Sequence, residues 1–219
     1  MRSGRPSGSR LGWVKAALFV LALAPVAWLA WRATAGRLGA NPLEAVTHAT
    51  GDWTLRFLLA TLAVTPLRAL TGVNTLIRFR RMLGLFAFFY GTLHLLTYLW
   101  FDQFFSWPDI LRDIPKRPFI TVGVAAFALM VPLAATSTAG MIRRLGGARW
   151  RALHRLVYLC AILGVVHFWW LVKADVSEPR LYGAVLAVLL AARLWVSYRR
   201  SAPAPEPAGA RRSRSFDRR

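Results

Sequence analysis

The sequence predicts an all-α polytopic membrane protein, a six-helix transmembrane bundle, and three observations carry that reading. Of its 219 residues 56% are hydrophobic, with a mean hydropathy of +0.42. That balance comes from long apolar runs, not from the alternating pattern of a soluble fold. Six of the runs are long enough to cross, as helices, the roughly 30 Å hydrocarbon layer of a bilayer. The 29 Lys and Arg, which set a net charge of +20, fall between the runs and at the two ends of the chain. Arginines along one soluble face would suit nucleic acid. Arginines between apolar runs suit a lipid bilayer, so no nucleic-acid partner is expected.

Taken in order, residues 1–10 are Ser, Gly, Pro and Arg, a disordered basic lead. The membrane domain occupies residues 11–198. Its first span covers about 11–31. Ala22-Leu23-Ala24 faintly resembles a signal-peptidase site, but the apolar run continues to Trp31, which predicts an uncleaved span. Residues 32–51 form a loop holding Gly36, Gly39 and Pro42, with room for a short helix over 42–48. The second span covers 53–70 and the third 82–101, joined by a connection over 72–81. Residues 102–118 are polar with three prolines and read as a loop. The fourth span covers 119–137, and a basic connection with Gly146-Gly147 follows. The fifth span covers 152–172 and the sixth 181–198. Residues 199–219 alternate Pro and Ala before turning Arg-rich, a disordered basic tail. No internal repeat is evident. Cys160 is alone in mid-span, which excludes a disulfide framework and predicts core packing.

Charge sets the expected orientation. With the N-terminus inside, the inner segments hold 21 of the 29 Lys and Arg, and the outer segments hold 7 of the 9 acidic residues. Both termini are therefore expected in the cytoplasm, with spans three and five parallel.

The stretch His154 to His167 reads as an apolar helix with an imidazole at each end, roughly 20 Å apart along the axis and about 140° apart around it. A titratable ring in lipid is costly without a partner. His94, in the outer half of span three, matches His167 in depth on a parallel helix. Two facing imidazoles at one depth can clamp a haem iron, since neutral imidazole is a strong axial ligand. Against this stands the plain reading that each His hydrogen-bonds a carbonyl or lines a cavity. His48 falls in the first outer loop, close to Asp52, and reads as solvated. The aromatics Phe168-Trp169-Trp170, and Trp100 to Trp107, read as interfacial belts.

Several motifs together resemble the ferric-reductase-like transmembrane family, over about residues 11–198. They are Gly39-Ala40-Asn41-Pro42, Thr50-Gly51-Asp52-Trp53, Thr65-Pro66-Leu67-Arg68, Arg80-Arg81-Met82-Leu83-Gly84-Leu85, Tyr90 with His94, and Trp150 to Leu153 leading into His154 and His167. Within that family the chain is most similar to the haem-binding membrane subunits of protein-methionine-sulfoxide reductase systems. The broader family carries two histidines on each of two helices and stacks two haems. Here the position fourteen before His94 is Arg80, a departure from that pattern. A guanidinium offers no lone pair to iron but can bind a propionate, a phosphate or a quinone oxygen, or simply anchor the helix.

The resemblance implies cofactor binding by His94, His167, His154 and Arg80. It implies haem b between His94 and His167, a second haem only if His154 also ligates, and FMN or quinone as further cofactors. It implies an electron-transfer subunit in the bacterial inner membrane, not the catalytic subunit of its oxidoreductase. Electrons would come from the quinone pool or a cytoplasmic flavin reductase and leave to a periplasmic molybdopterin catalytic subunit in a heterodimer. No glycine fingerprint of a nucleotide domain follows span six. Two other classes stay open: a stand-alone ferric or cupric reductase, and a cofactor-free transporter or scaffold.

Overall fold

The computed structural model describes residues 8–172 and 174–201, and every regular element among them is helical. The expected disorder of residues 1–7 and 202–219 lies outside the described residues. Six stretches are long and apolar enough to cross a membrane. Four are the helices α1 (Gly8–Thr34), α2 (Pro42–Thr71), α5 (Pro118–Ala135) and α9 (Ser177–Ser201). The third is α3 (Arg80–Thr97) with its π-helical extension Tyr98–Asp102, and the fifth joins α7 (Gly147–Leu153) to α8 (Leu156–Leu171). The amphipathic α4 (Trp107–Lys116) and the short α6 (Ala139–Leu145) lie in connections.

The bundle is built on two antiparallel pairs. In the first, Thr47 near the start of α2 meets Thr97 at the end of α3. In the second, Phe119 at the start of α5 meets His167 near the end of α8. Helix α9 packs on α2 and α8, and α1 lies outside against α2. Helix α2 is the hub: 44% of its apolar window is buried, against 6% for α1 and α9. Leu58, Leu62, Ala87, Tyr90, Cys160 and Ala161 form the centre of the core, and Cys160 is fully buried as expected. Large side chains such as Trp13, Leu70, Val188 and Leu194 point outward, where a soluble protein would hide them and a membrane protein meets lipid. Hydroxyls in the spans are satisfied locally: Thr50, Thr54, Thr61 and Thr92 each donate to the carbonyl four residues earlier.

One end of the bundle carries Arg80, Arg143, Arg144, Arg149 and Arg151; the other carries Glu44, Asp52, Asp102, Asp109 and Asp113. We call these the basic and the acidic end.

Three expectations need correction. Residues 42–48 are not a separate short helix in a loop but the first turns of α2. Asn41 caps it by accepting from the Glu44 N–H at 3.2 Å, and Pro42 sits where no N–H is needed. His48 therefore rides on a helix. Residues 107–116 are helical: Pro108 sits in the first turn, where no N–H is needed, and Pro115 comes only in the last turn. Trp107, Ile110, Leu111 and Ile114 share one face at helical spacing. Finally, His154 and His167 do not lie on one continuous helix. His154 sits in a break between α7 and α8 (φ −70°, ψ −2°), so the ideal-helix separation does not apply.

Helix α1 contains Pro25, which has no N–H for the carbonyl four residues earlier. One residue on, the Tyr90 hydroxyl enters the ladder. It accepts from the Val26 N–H at 3.2 Å and donates to the Ala22 carbonyl at 2.8 Å, two groups that would otherwise bond each other.

Candidate cofactor site

At the acidic end, α2, α3, α5 and α8 enclose a largely apolar cavity of about 380 Å³, within the usual range for small-molecule and cofactor pockets. His94 and His167 both line it, with ring centroids 5.9 Å apart and planes at 79°. The depth match expected from the sequence thus becomes a direct juxtaposition.

Each ring is held in the same way. The His94 Nδ1–H donates to the Thr47 carbonyl of α2 at 2.9 Å, and the His167 Nδ1–H donates to the Phe119 carbonyl of α5 at 2.6 Å. A carbonyl can only accept, so Nδ1 carries the proton in both rings and Nε2 keeps its lone pair. Neither Nε2 has a hydrogen-bond partner among the described residues. Such second-sphere donation is the usual way a protein orients a ligating imidazole and raises its basicity.

Glycines make room for the rings. A Cβ on Gly51 would lie 3.1 Å from Cε1 of His94, and one on Gly123 would lie 2.8 Å from Nδ1 of His167. Gly51 follows Thr47, whose carbonyl accepts from His94, by four residues, as Gly123 follows Phe119. On the ligand helices, Gly91 precedes His94 by three residues, as Gly164 precedes His167. Helical side chains lean toward the N-terminus, over the turn where these glycines sit. The two pairs, α2 with α3 and α5 with α8, therefore repeat one local design. The sequence reading found no repeat. The signal was present as two Gly-x-x-His turns, but the matching acceptors are backbone atoms.

The donor set, two neutral imidazoles lining one apolar cavity with their Nε2 atoms unpartnered among the described residues, would suit a metal centre that takes imidazole ligands. Haem iron is such a centre.

The other expected site residues lie at the basic end. The Thr136 hydroxyl donates to the Pro132 carbonyl at 2.6 Å, so His154 Nε2–H donates to Thr136 Oγ1 at 3.0 Å. The His154 ring stacks on Trp150 at 3.9 Å, and the Trp150 Nε1–H donates to the Thr136 carbonyl. No second imidazole faces His154 among the described residues. Arg80 is half-buried, makes no hydrogen bond or ion pair among the described residues, and lies within electrostatic reach of His154, Tyr158 and Arg193. Arg193, which sequence reasoning passed over, donates to the Tyr158 hydroxyl and to Thr65 Oγ1, each at 2.5 Å. His48 is half-exposed at the cavity mouth, 4.0 Å from Glu44.

Comparison with known proteins places the chain in a family. A family model described as the ferric reductase like transmembrane component matches residues 49–165, more than half of the chain. That match includes Gly51, His94, Gly123 and His154 and stops two residues short of His167. A protein of Herminiimonas arsenicoxydans is 54% identical over 204 residues, covering 92% of this chain and 94% of its own. Relatives from Ralstonia nicotianae and Rhodospirillum rubrum are each 57% identical, over 188 and 198 residues, covering 85% and 90% of this chain and 87% and 94% of theirs. All three are named protein-methionine-sulfoxide reductase heme-binding subunit MsrQ. At that identity and coverage, with a membrane-spanning bundle and a matched imidazole pair in place, the chain belongs to the MsrQ branch of the ferric-reductase-like transmembrane family.

Proposed function

We propose that the protein is the haem-binding electron-transfer subunit of a protein-methionine-sulfoxide reductase, with haem b held between His94 and His167. The observation that supports this best is the paired arrangement itself. Two rings are presented by two helix pairs, each with Nδ1–H committed to a carbonyl, each laid on a glycine, and each with Nε2 left over. When bound, haem supplies one-electron exchange at its iron.

The chain's own residues do the rest. Thr47 and Phe119 lock the tautomers, so neither ring needs to reorganise between redox states. Gly51, Gly91, Gly123 and Gly164 keep Cβ atoms off the cavity walls. Leu55, Leu58, Phe127 and Met130 exclude water and keep the surroundings apolar, one of the means by which proteins set haem potential.

The catalytic partner is a molybdopterin protein on the periplasmic side, forming a heterodimer with this chain in the bacterial inner membrane. The charge asymmetry of the two ends supports this orientation, with both termini cytoplasmic. Electrons then arrive at the basic end, from quinol or reduced flavin, where the unpaired donors of Arg80 suit a phosphate or a quinone oxygen and His154 lies close by.

The test is the visible spectrum of the purified protein with a pyridine haemochrome count. His94→Ala and His167→Ala should each abolish the low-spin b-type signal while the protein stays in the membrane. Normal haem in either variant, or none in the wild type, overturns the reading. The same measurement on His154→Ala counts haems: an unchanged signal means one, and loss of half means a second at the basic end.

A further inference from the structure

The cavity lining is unbalanced in charge. Among the described residues it includes three carboxylates, Glu44, Asp52 and Asp102, and one Lys or Arg, Arg117. A haem brings two propionates, and a carboxylate drawn out of water needs charged or strong hydrogen-bonding partners. We propose that Arg117 binds a haem propionate at the mouth of the cavity, through its Nη1 group. This rests on the haem reading above.

Arg117 is held ready for that role. Its Nε–H donates to both carboxylate oxygens of Asp113, at 2.8 and 2.9 Å, and Nη2 donates to Asp102 at 2.8 Å and also to Asp113. Tyr98 completes the frame: its ring lies 5.9 Å from the guanidinium, and its hydroxyl donates to Asp113 at 2.9 Å. The two N–H groups of Nη1 have no partner among the described residues. The fork is thus fixed in orientation with one side left open. Its side chain is 36% exposed and the residue lines the cavity, which puts Arg117 at the boundary between the apolar interior and water. Haem propionates need that boundary when the apolar edge of the ring points inward.

Arg117 also begins the turn that orients one ligand. It caps α5 two residues before Phe119, whose carbonyl takes the His167 Nδ1–H. One short piece of backbone therefore sets both an axial ring and the proposed propionate anchor. Asp102, 46% exposed, can turn to water if the incoming carboxylate displaces it from Nη2.

A purely structural latch would predict the same fragility on mutation, so the test separates the two by chemistry on the haem. Full-length protein is loaded with protohaem or with its dimethyl ester, which has no propionate charge. Haem loss is then followed by transfer to excess apomyoglobin. Arg117→Gln should speed loss of protohaem about ten- to a hundredfold and leave loss of the ester unchanged, with Arg117→Lys in between. If the variants speed loss of both haems alike, Arg117 only positions His167 and the proposal fails. It fails equally if neither rate changes. Absence of any His94-dependent haem in the wild type would instead overturn the haem reading on which this one stands.

Discussion

The two ends of the bundle use the same kinds of side chain for different ends. At the acidic end, two imidazoles spend Nδ1–H on main-chain carbonyls and keep Nε2 open toward a cavity. At the basic end, the one imidazole spends Nε2–H on a threonine hydroxyl and stacks on tryptophan, beside guanidinium groups. The two ends thus differ in which ring nitrogen is committed, Nδ1 to a carbonyl at the acidic end and Nε2 to a hydroxyl at the basic end.

The sharpest way to break this contrast is to fill the glycine seats. A methyl at Gly123 would sit 2.8 Å from the His167 ring, so Gly123→Ala should cost roughly 1–3 kcal/mol. That is about a tenfold to hundredfold loss of haem affinity, measured by titration of the apoprotein. Gly51→Ala, with its nearest approach at 3.1 Å, should cost less. Equal and negligible effects would mean the rings do not rest on these glycines when haem is bound.

A smaller effect is expected at the other end. Removing one charge-assisted contact costs about 1.5 kcal/mol, so Arg80→Ala should weaken the donor about tenfold. Haem reduction by quinol or reduced flavin is the measurement. His154→Ala should also slow reduction while sparing the haem held by His94 and His167. Wild-type rates with both donors in both variants would show that electrons do not enter at the basic end.

The smallest effect concerns the surface clasp over the cavity. The hydrogen bond from Arg117 holds the Asp113 carboxyl below its ordinary value of 3.8, and that pairing in turn raises Arg117. A carboxyl depressed by folding contributes stability above its ordinary value and loses it as pH falls through the lower, folded value. Thermal stability should therefore drop in a step below about pH 4, and Asp113→Asn should flatten that step. An unchanged profile would show that the clasp adds nothing.

Much of the architecture was legible because each span is a simple apolar run and charge marks the connections. The His94–His167 pair was legible for the same reason, since matched depth on parallel spans needs only counting. What escaped was local chemistry. Pro108, Pro115 and Pro118 suggested a loop, yet Pro108 and Pro118 begin helices, where a missing N–H does no harm, and Pro115 falls only in the last turn of α4. The break at His154 has no breaker residue to announce it. Thr47 and Phe119 act through carbonyls, and Gly51 and Gly123 through the lack of a side chain, so their residue names say little. Arg117 looked like one more connection arginine because the cavity it borders is formed by helices distant in sequence.

The hydroxyl of Tyr90 bears on how α1 is held. Helix α1 carries Pro25, and one residue on its ladder takes in a hydroxyl from another helix. That hydroxyl comes from α3, sixty-four residues later, and α3 is also the helix that delivers His94. One side-chain hydroxyl thus ties the outlying helix to the one that carries His94.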